Sequence, residues 1–201
     1  NYLMISVSYD GNKFAYYQDD NIFVRRTADF YLEKEFPGPP LRLLNRTLDG
    51  LSFADNGKLI ATDNVGYVYL YDSYTGSLLR KDSMDVTGYP AKLASISPDG
   101  SAMIIHTGSS GVGLYTLSGE GWTEIVKNNV NPYSIFYSKD GKSVYFVSDF
   151  KMQRFNSGDL SFISDYSLPN GYFRSVDIDH ERFFMSYMAS PVNLLVELNT
   201  G

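Results

Sequence analysis

The sequence predicts an all-β fold of repeated four-stranded antiparallel sheets, on three observations. A two-residue turn signal returns at near-constant spacing along the 201 residues. Apolar residues flank each signal with a period of two, as on a pleated strand whose successive side chains point to opposite faces. No stretch carries a sustained apolar stripe at the helical period of about 3.6 residues.

The signals are Asp10-Gly11, Asn56-Gly57, Asp99-Gly100 and Asp140-Gly141, with a degenerate fifth at Asp179-His180. Their intervals of 46, 43, 41 and 39 residues match the four-strand blade period of a β-propeller. Helical solenoids have similar periods, so the flanking residues must arbitrate. Three positions before each signal stand Val7, Phe53, Ile96, Tyr137 and Val176; five before stand Ile5, Leu51, Ala94, Ile135 and Arg174. Between them lie Ser6, Ser52, Ser95, Phe136 and Ser175, mostly small residues suited to crowded neighbouring sheets. This alternation makes the first strand. Asn or Asp before Gly then suits a hairpin turn in which both central residues take positive φ. Four positions after each signal, Phe14, Ile60, Met103, Val144 and Phe183 open the second strand.

The third and fourth strands are plainest in the second repeat. Tyr67 to Tyr71 alternates aromatic and aliphatic residues, Asp72 to Gly76 makes a turn, and Leu78-Leu79-Arg80-Lys81 begins a more polar strand. Similar turn chemistry recurs at Ser118 to Gly121, Ser157-Gly158-Asp159 and Asn199-Thr200-Gly201. Polar fourth strands, such as that around Glu33-Lys34-Glu35, suit an outer sheet edge. The expected architecture is one β-propeller domain with repeats at about 1–45, 46–88, 89–129, 130–169 and 170–201, the last blade incomplete.

The run from Leu51 to Thr62, continuing through Gly66 to Asp72 and on to Thr75-Gly76, resembles a blade of the tryptophan–aspartate-repeat propellers. Ser97-Pro98-Asp99-Gly100 is similar to the first-hairpin signature shared by that family and the TolB-like propellers. The resemblance covers the whole chain and implies fold far more than function, since propellers host enzymes, scaffolds and receptors alike. Tyr71 stands where the family usually has Trp, and no Gly-His pair precedes any repeat, so the family's buried His-based network is expected to be absent. A divergent bacterial-type propeller is the nearer comparison.

Repeat five stops at the turn before its fourth strand, and no spare strand precedes Leu3. Ring closure normally needs one terminus to complete the blade begun by the other. The expectation is a fragment of a propeller of about six to eight blades, closed by its remaining blades or by a partner chain. The alternative is a five-bladed ring with a three-stranded last blade. The start at Asn1 rather than Met agrees with a processed or excised piece.

Composition narrows the function. The chain has no Cys, which excludes a disulfide framework, thiolate zinc or iron–sulfur sites and a cysteine nucleophile. A net charge of −6 opposes sequence-independent attraction to nucleic acid or anionic lipid. No apolar run reaches the roughly 20 residues of a membrane-spanning helix.

Few residues carry chemistry. His106 and His180 are expected as surface or edge residues toward opposite faces, not as a metal pair or dyad. Gly108 to Gly113 matches neither a nucleophile elbow nor a phosphate loop and reads as a turn between second and third strands. Asp19-Asp20-Asn21 and Asp63-Asn64 lack the spacing of a calcium loop, so no metal or cofactor is expected. Seven positions before the signals, where innermost strands enter, stand Leu3, Asp49, Lys92, Tyr133 and Tyr172. Only Asp49 is acidic, whereas glycosidase chemistry needs a carboxylate pair about 5 to 9.5 Å apart.

The candidate binding residues are therefore Asp49, Lys92, Tyr133, Tyr172 and the adjoining Phe173, ringing the channel mouth. Tyr offers large contact area at low entropic cost. The expected function is non-enzymatic binding of a protein or small ligand and assembly, without nucleic acid or membrane insertion. The competing class is an enzyme or enzyme-associated propeller, with a glycosidase-type central site or a substrate-filtering role beside a hydrolase. The TolB-like features point to a bacterial periplasm or cell surface.

Overall fold

Every full turn signal becomes the hairpin between the first and second strands of a four-stranded sheet in the computed structural model, which describes residues 4–84, 93–106, 111–118, 121–148, 151–168, 173–179, 182–187 and 193–197. The first sheet comprises β1 (Met4–Val7), β2 (Lys13–Gln18), β3 (Asn21–Arg26) and β4 (Leu32–Pro37). The second comprises β5 (Leu48–Phe53), β6 (Lys58–Asp63), β7 (Tyr67–Asp72) and β8 (Ser77–Ser83). The third holds β9 (Leu93–Ile96), β10 (Ala102–His106), β11 (Val112–Ser118) and β12 (Gly121–Asn128). The fourth holds β13 (Ser134–Tyr137), β14 (Ser143–Val147), β15 (Lys151–Asn156) and β16 (Phe162–Ser167). A three-stranded sheet follows, β17 (Phe173–Asp179), β18 (Arg182–Tyr187) and β19 (Asn193–Glu197). Strands follow chain order across each sheet. All described elements are strands, and no helix is long and apolar enough to cross a membrane among the described residues.

The chain forms two compact units, Asn1–Asn129 with the first three sheets and Val130–Gly201 with the other two. In the first unit the sheets stack face on face. Ala15, Ile22, Val24 and Phe36 of the first sheet pack against Phe53, Leu59, Ala61, Tyr69 and Tyr71 of the second. The opposite face of the second sheet, Ala54, Ile60, Val68 and Leu70, packs against Ile96, Met103, Ile105 and Tyr115 of the third. Gly50 shows why small residues recur there: a Cβ on it would lie 2.6 Å from Thr62 Oγ1 and 3.3 Å from the Ala94 backbone nitrogen. In the second unit the central strand β14 is buried along its whole length, and the Phe146 and Phe155 rings lie 4.7 Å apart.

The hairpins differ from expectation in one respect. Only the glycines take positive φ, from 67° to 84° at Gly11, Gly57, Gly100 and Gly141. Each donates its N–H to the carbonyl three residues earlier, closing a turn whose last residue is Gly. The doubly positive geometry occurs instead between β2 and β3, at Asp19 and Asp20 (φ 51° and 63°). There the loop has two residues, and a two-residue loop must match the strand twist with left-handed conformations.

The second hairpin is also one residue shorter than the others. Ser8, Ser97 and Ser138 pair by backbone with Lys13, Ala102 and Ser143, but Ala54 pairs with Lys58. As a result Phe53 stands opposite Leu59, while Val7, Ile96 and Tyr137 stand opposite Phe14, Met103 and Val144. Ile60, expected in the place that Phe14, Met103 and Val144 take in their strands, faces the third sheet. In the longer loops the serine Oγ accepts the N–H five residues on, at 3.0, 2.9 and 2.9 Å. The shorter loop has no such gap to span, and Ala serves there.

Candidate functional site

Two of the five proposed rim residues have described side chains. Asp49 is the extra residue of a β-bulge, because Leu48 pairs with Asp63 and Gly50 already pairs with Thr62. Bulges re-aim side chains at sheet ends, and Asp49 Oδ1 accepts a hydrogen bond from Thr47 Oγ1 at 3.3 Å. Tyr133 directly precedes β13, its N–H donating to the Val147 carbonyl at 2.7 Å while the residue is 58% exposed. Asp49 belongs to the first unit and Tyr133 to the second. Phe173 opens β17, whose pairing with β18 is irregular between Phe173 and Val176. Lys92 and Tyr172 lie outside the described residues, as does His180.

His106 overturns its expectation as a surface or edge residue. It ends β10 and is paired with Leu93 on one side and Val112 on the other. That central place in the sheet leaves it 4% exposed. Of the glycine-rich run, Gly111 has φ 82° and a Cβ there would lie 2.3 Å from the Asn128 carbonyl oxygen, so this position serves a tight backbone approach.

Among the described residues, a buried polar centre forms around Asp63, which the sequence offered only as half of an Asp63-Asn64 pair without calcium-loop spacing. Asp63, at the end of β6, is fully buried. Its Oδ1 accepts the N–H groups of Val65 at 3.1 Å and Tyr67 at 2.9 Å. Oδ2 accepts Tyr69 Oη–H at 3.1 Å and Arg46 Nη1–H at 3.2 Å. Arg46 comes from the segment before β5, and its guanidinium also lies over the Tyr67 ring, 4.9 Å from the centroid. Burial, then the charge of Asp63 and its hydrogen bond, push the Tyr69 phenol up to about 12. Burial opposes the Arg46 charge, but Asp63 outweighs it and raises the guanidinium further. Four donors saturate the carboxylate, which fits a structural centre. A buried network is thus present without histidine, its cation supplied by Arg46. The available signal was an Asp at a strand end three residues before Gly66, whose N–H returns to the Asp63 carbonyl at 3.1 Å; nothing in the sequence pointed to Arg46.

The hairpin turns interlock. Asp55 Oδ1 accepts the Asp10 N–H at 2.8 Å, and the Asp55 N–H donates to the Pro98 carbonyl at 2.9 Å. Asn56 Nδ2 donates to the Asp99 carbonyl at 2.6 Å and Lys58 Nζ to the Gly100 carbonyl at 2.9 Å. These residues are occupied in joining the first three sheets to one another. A cleft of about 350 Å³ lies between the end of β4 and the outer strands of the second sheet, walled by Pro37, Pro40, Tyr69, Tyr71, Leu78 and Lys81. No carboxylate lines it. No group of three His, Cys, Asp or Glu residues suited to a metal ion occurs among the described residues.

Repeated four-stranded antiparallel sheets, the first strands of the first three lying side by side, are the blades of a β-propeller. The fold is similar to the crystal structure of the β-propeller domain of Cps50 (Swd1) from Myceliophteria thermophila, with a TM-score of 0.70 at 12% identity. The match covers 92% of this chain and 61% of that one, so the chain spans less than two thirds of that propeller. No protein-family model and no curated protein matches the sequence.

Proposed function

We infer that this propeller is a binding and assembly module of the divergent tryptophan–aspartate-repeat or TolB-like type, taking a protein or small ligand at its channel mouth. Tyr133 carries the reading: an aromatic side chain more than half exposed, on backbone held in the sheet by its 2.7 Å bond to Val147. A rigidly mounted, exposed tyrosine presents contact area with little entropy left to lose on binding. Asp49 and Lys92 set the polarity of the mouth, and Tyr172 and Phe173 extend its aromatic surface.

Thermal melts of Tyr133→Ala and Tyr172→Ala test this first. Rim residues shift stability by under about 1 kcal/mol, whereas residues packed between blades cost about 3 to 5 kcal/mol. A photo-crosslinking residue at 133 should then capture a partner that the same residue at exposed Tyr74 does not. A large loss of melting temperature, or equal capture at both positions, refutes the reading.

A further inference from the structure

The cleft between the first two sheets lies wholly within the first unit, lined by β4, the segment after it, β7 and the start of β8, with no residue from a first strand. Its floor holds a polar group that the fold does not use. Tyr71 is 2% exposed, yet its Oη has no hydrogen-bond partner among the described residues and is not sealed from the cleft that it lines. Buried hydroxyls are normally bonded. Burial, then the neighbouring Tyr69, hold the Tyr71 phenol above its ordinary value, so it keeps its proton and stands as a donor. Lys81, on the strand beside it, places Nζ over the Tyr67 and Tyr69 rings at 4.3 and 5.4 Å and forms no ion pair among the described residues. The opposite wall is fixed: Tyr17 Oη lies 2.8 Å from the Pro39 carbonyl, and the Gly38 N–H donates to the Asp20 carbonyl at 2.8 Å.

We propose that this cleft binds a small aromatic carboxylate, its two oxygens accepting from Tyr71 Oη–H and Lys81 Nζ–H and its ring seated among Pro37, Pro40 and Leu78. Charge decides the sign of the ligand. In a chain of net charge −6, the cleft contains a lysine and no carboxylate, which favours an anion there. The number of donors decides the group. Pro37 and Pro40 have no N–H to give, and the Gly38 and Gly76 N–H groups are already spent on the Asp20 and Asp72 carbonyls. Two remaining side-chain donors match a carboxylate and leave a phosphate short of partners. The apolar walls suit a ring, and a volume of about 350 Å³ suits a small one.

Phenylacetate, titrated into the isotope-labelled 201-residue chain, is the probe. It should shift the Gly38, Gly76 and Leu78 amide resonances with a Kd of about 1 mM or below. Phenylethanol, which keeps the ring and lacks the charge, should bind at least about tenfold more weakly. Lys81→Gln should weaken phenylacetate to the same extent, and Tyr71→Phe at least about fivefold. Because the Tyr71 hydroxyl has no partner to lose, Tyr71→Phe should also leave Tm within about 2 °C. No shift at those amides, equal binding of the alcohol, or undiminished affinity in either variant overturns the proposal. A fall in Tm of more than about 4 °C in Tyr71→Phe does so too, since the hydroxyl would then be bonded within the fold. Shifts that grow with protein concentration alone give the cleft to a second copy and overturn it as well.

Discussion

Tyr9, in the first hairpin turn of the first blade, donates its hydroxyl hydrogen to the Ile96 carbonyl of the third blade at 2.8 Å, reaching past the blade between them. Its oxygen also lies 3.3 Å from Ser95 Oγ. The bond ties together residues 87 positions apart, so it restrains three blades at once. Tyr9→Phe keeps the ring and removes the donor. It should cost about 1 kcal/mol, read as a fall in Tm of about 2 to 4 °C. A neutral result would show that this bond adds nothing to the other contacts that join the three blades.

Asp63 and Arg46 are partners of unequal importance. Asp63→Ala leaves Arg46, Tyr69 and two backbone N–H groups without their shared acceptor, and should destabilise by about 3 to 5 kcal/mol. Arg46→Ala removes one of four donors, from a side chain with some solvent contact, and should cost less than the loss of the shared acceptor. Urea unfolding of the two variants checks the order; the reverse order would mean that Arg46 is the centre of the network.

The hairpin glycines differ in what surrounds them. Gly11→Ala meets no atom within 4 Å, so only its φ of +74° opposes the substitution, a cost of about 1 to 2 kcal/mol. Gly57→Ala adds to similar strain a Cβ placed 2.2 Å from the Tyr74 ring. Chemical denaturation should show the larger loss at Gly57, and pairing Gly57→Ala with Tyr74→Ala should restore part of it. No restoration would place the whole cost in the backbone.

Acid should weaken the turns through their aspartates. The Ser97 hydroxyl is the main cause holding Asp99 below the ordinary value of 3.8 despite opposing burial, with Ser101 adding to it. The Ser138 hydroxyl and Lys142 N–H lower Asp140 in the same way. At Asp10 burial pulls upward, but bonds from Ser8 and Asn12 outweigh it. Because the folded values lie below the unfolded ones, this stability is fully present above about pH 4 and is lost as pH falls through the depressed values. Asp99→Asn should flatten the dependence of Tm on pH below about 4; an unchanged profile would remove Asp99 as a contributor.

The repeat, the strand order and the edge strands were legible because they depend on local rules. Period-two burial and a glycine at each turn are properties of a few adjacent residues, and Gly11, Gly57, Gly100 and Gly141 all take the positive φ that marks them. Turn geometry was less legible. One residue fewer between Ala54 and Lys58 shifted Leu59 into the place expected of Ile60, since a single-residue slip moves every side chain to the opposite face.

The sequence by itself determined the blades, because hydrogen bonding within a hairpin joins neighbours in the chain. It named Asp49 and Tyr133 by their distance from the turns, without showing that Asp49 occupies a bulge or that Tyr133 is largely exposed. Only the tertiary structure decided the burial of His106, the pairing of Arg46 with Asp63, and the contrast between exposed Val7 and buried Phe53. Each of those depends on which sheet lies against which. Packing between sheets joins residues tens of positions apart, and no local period records it.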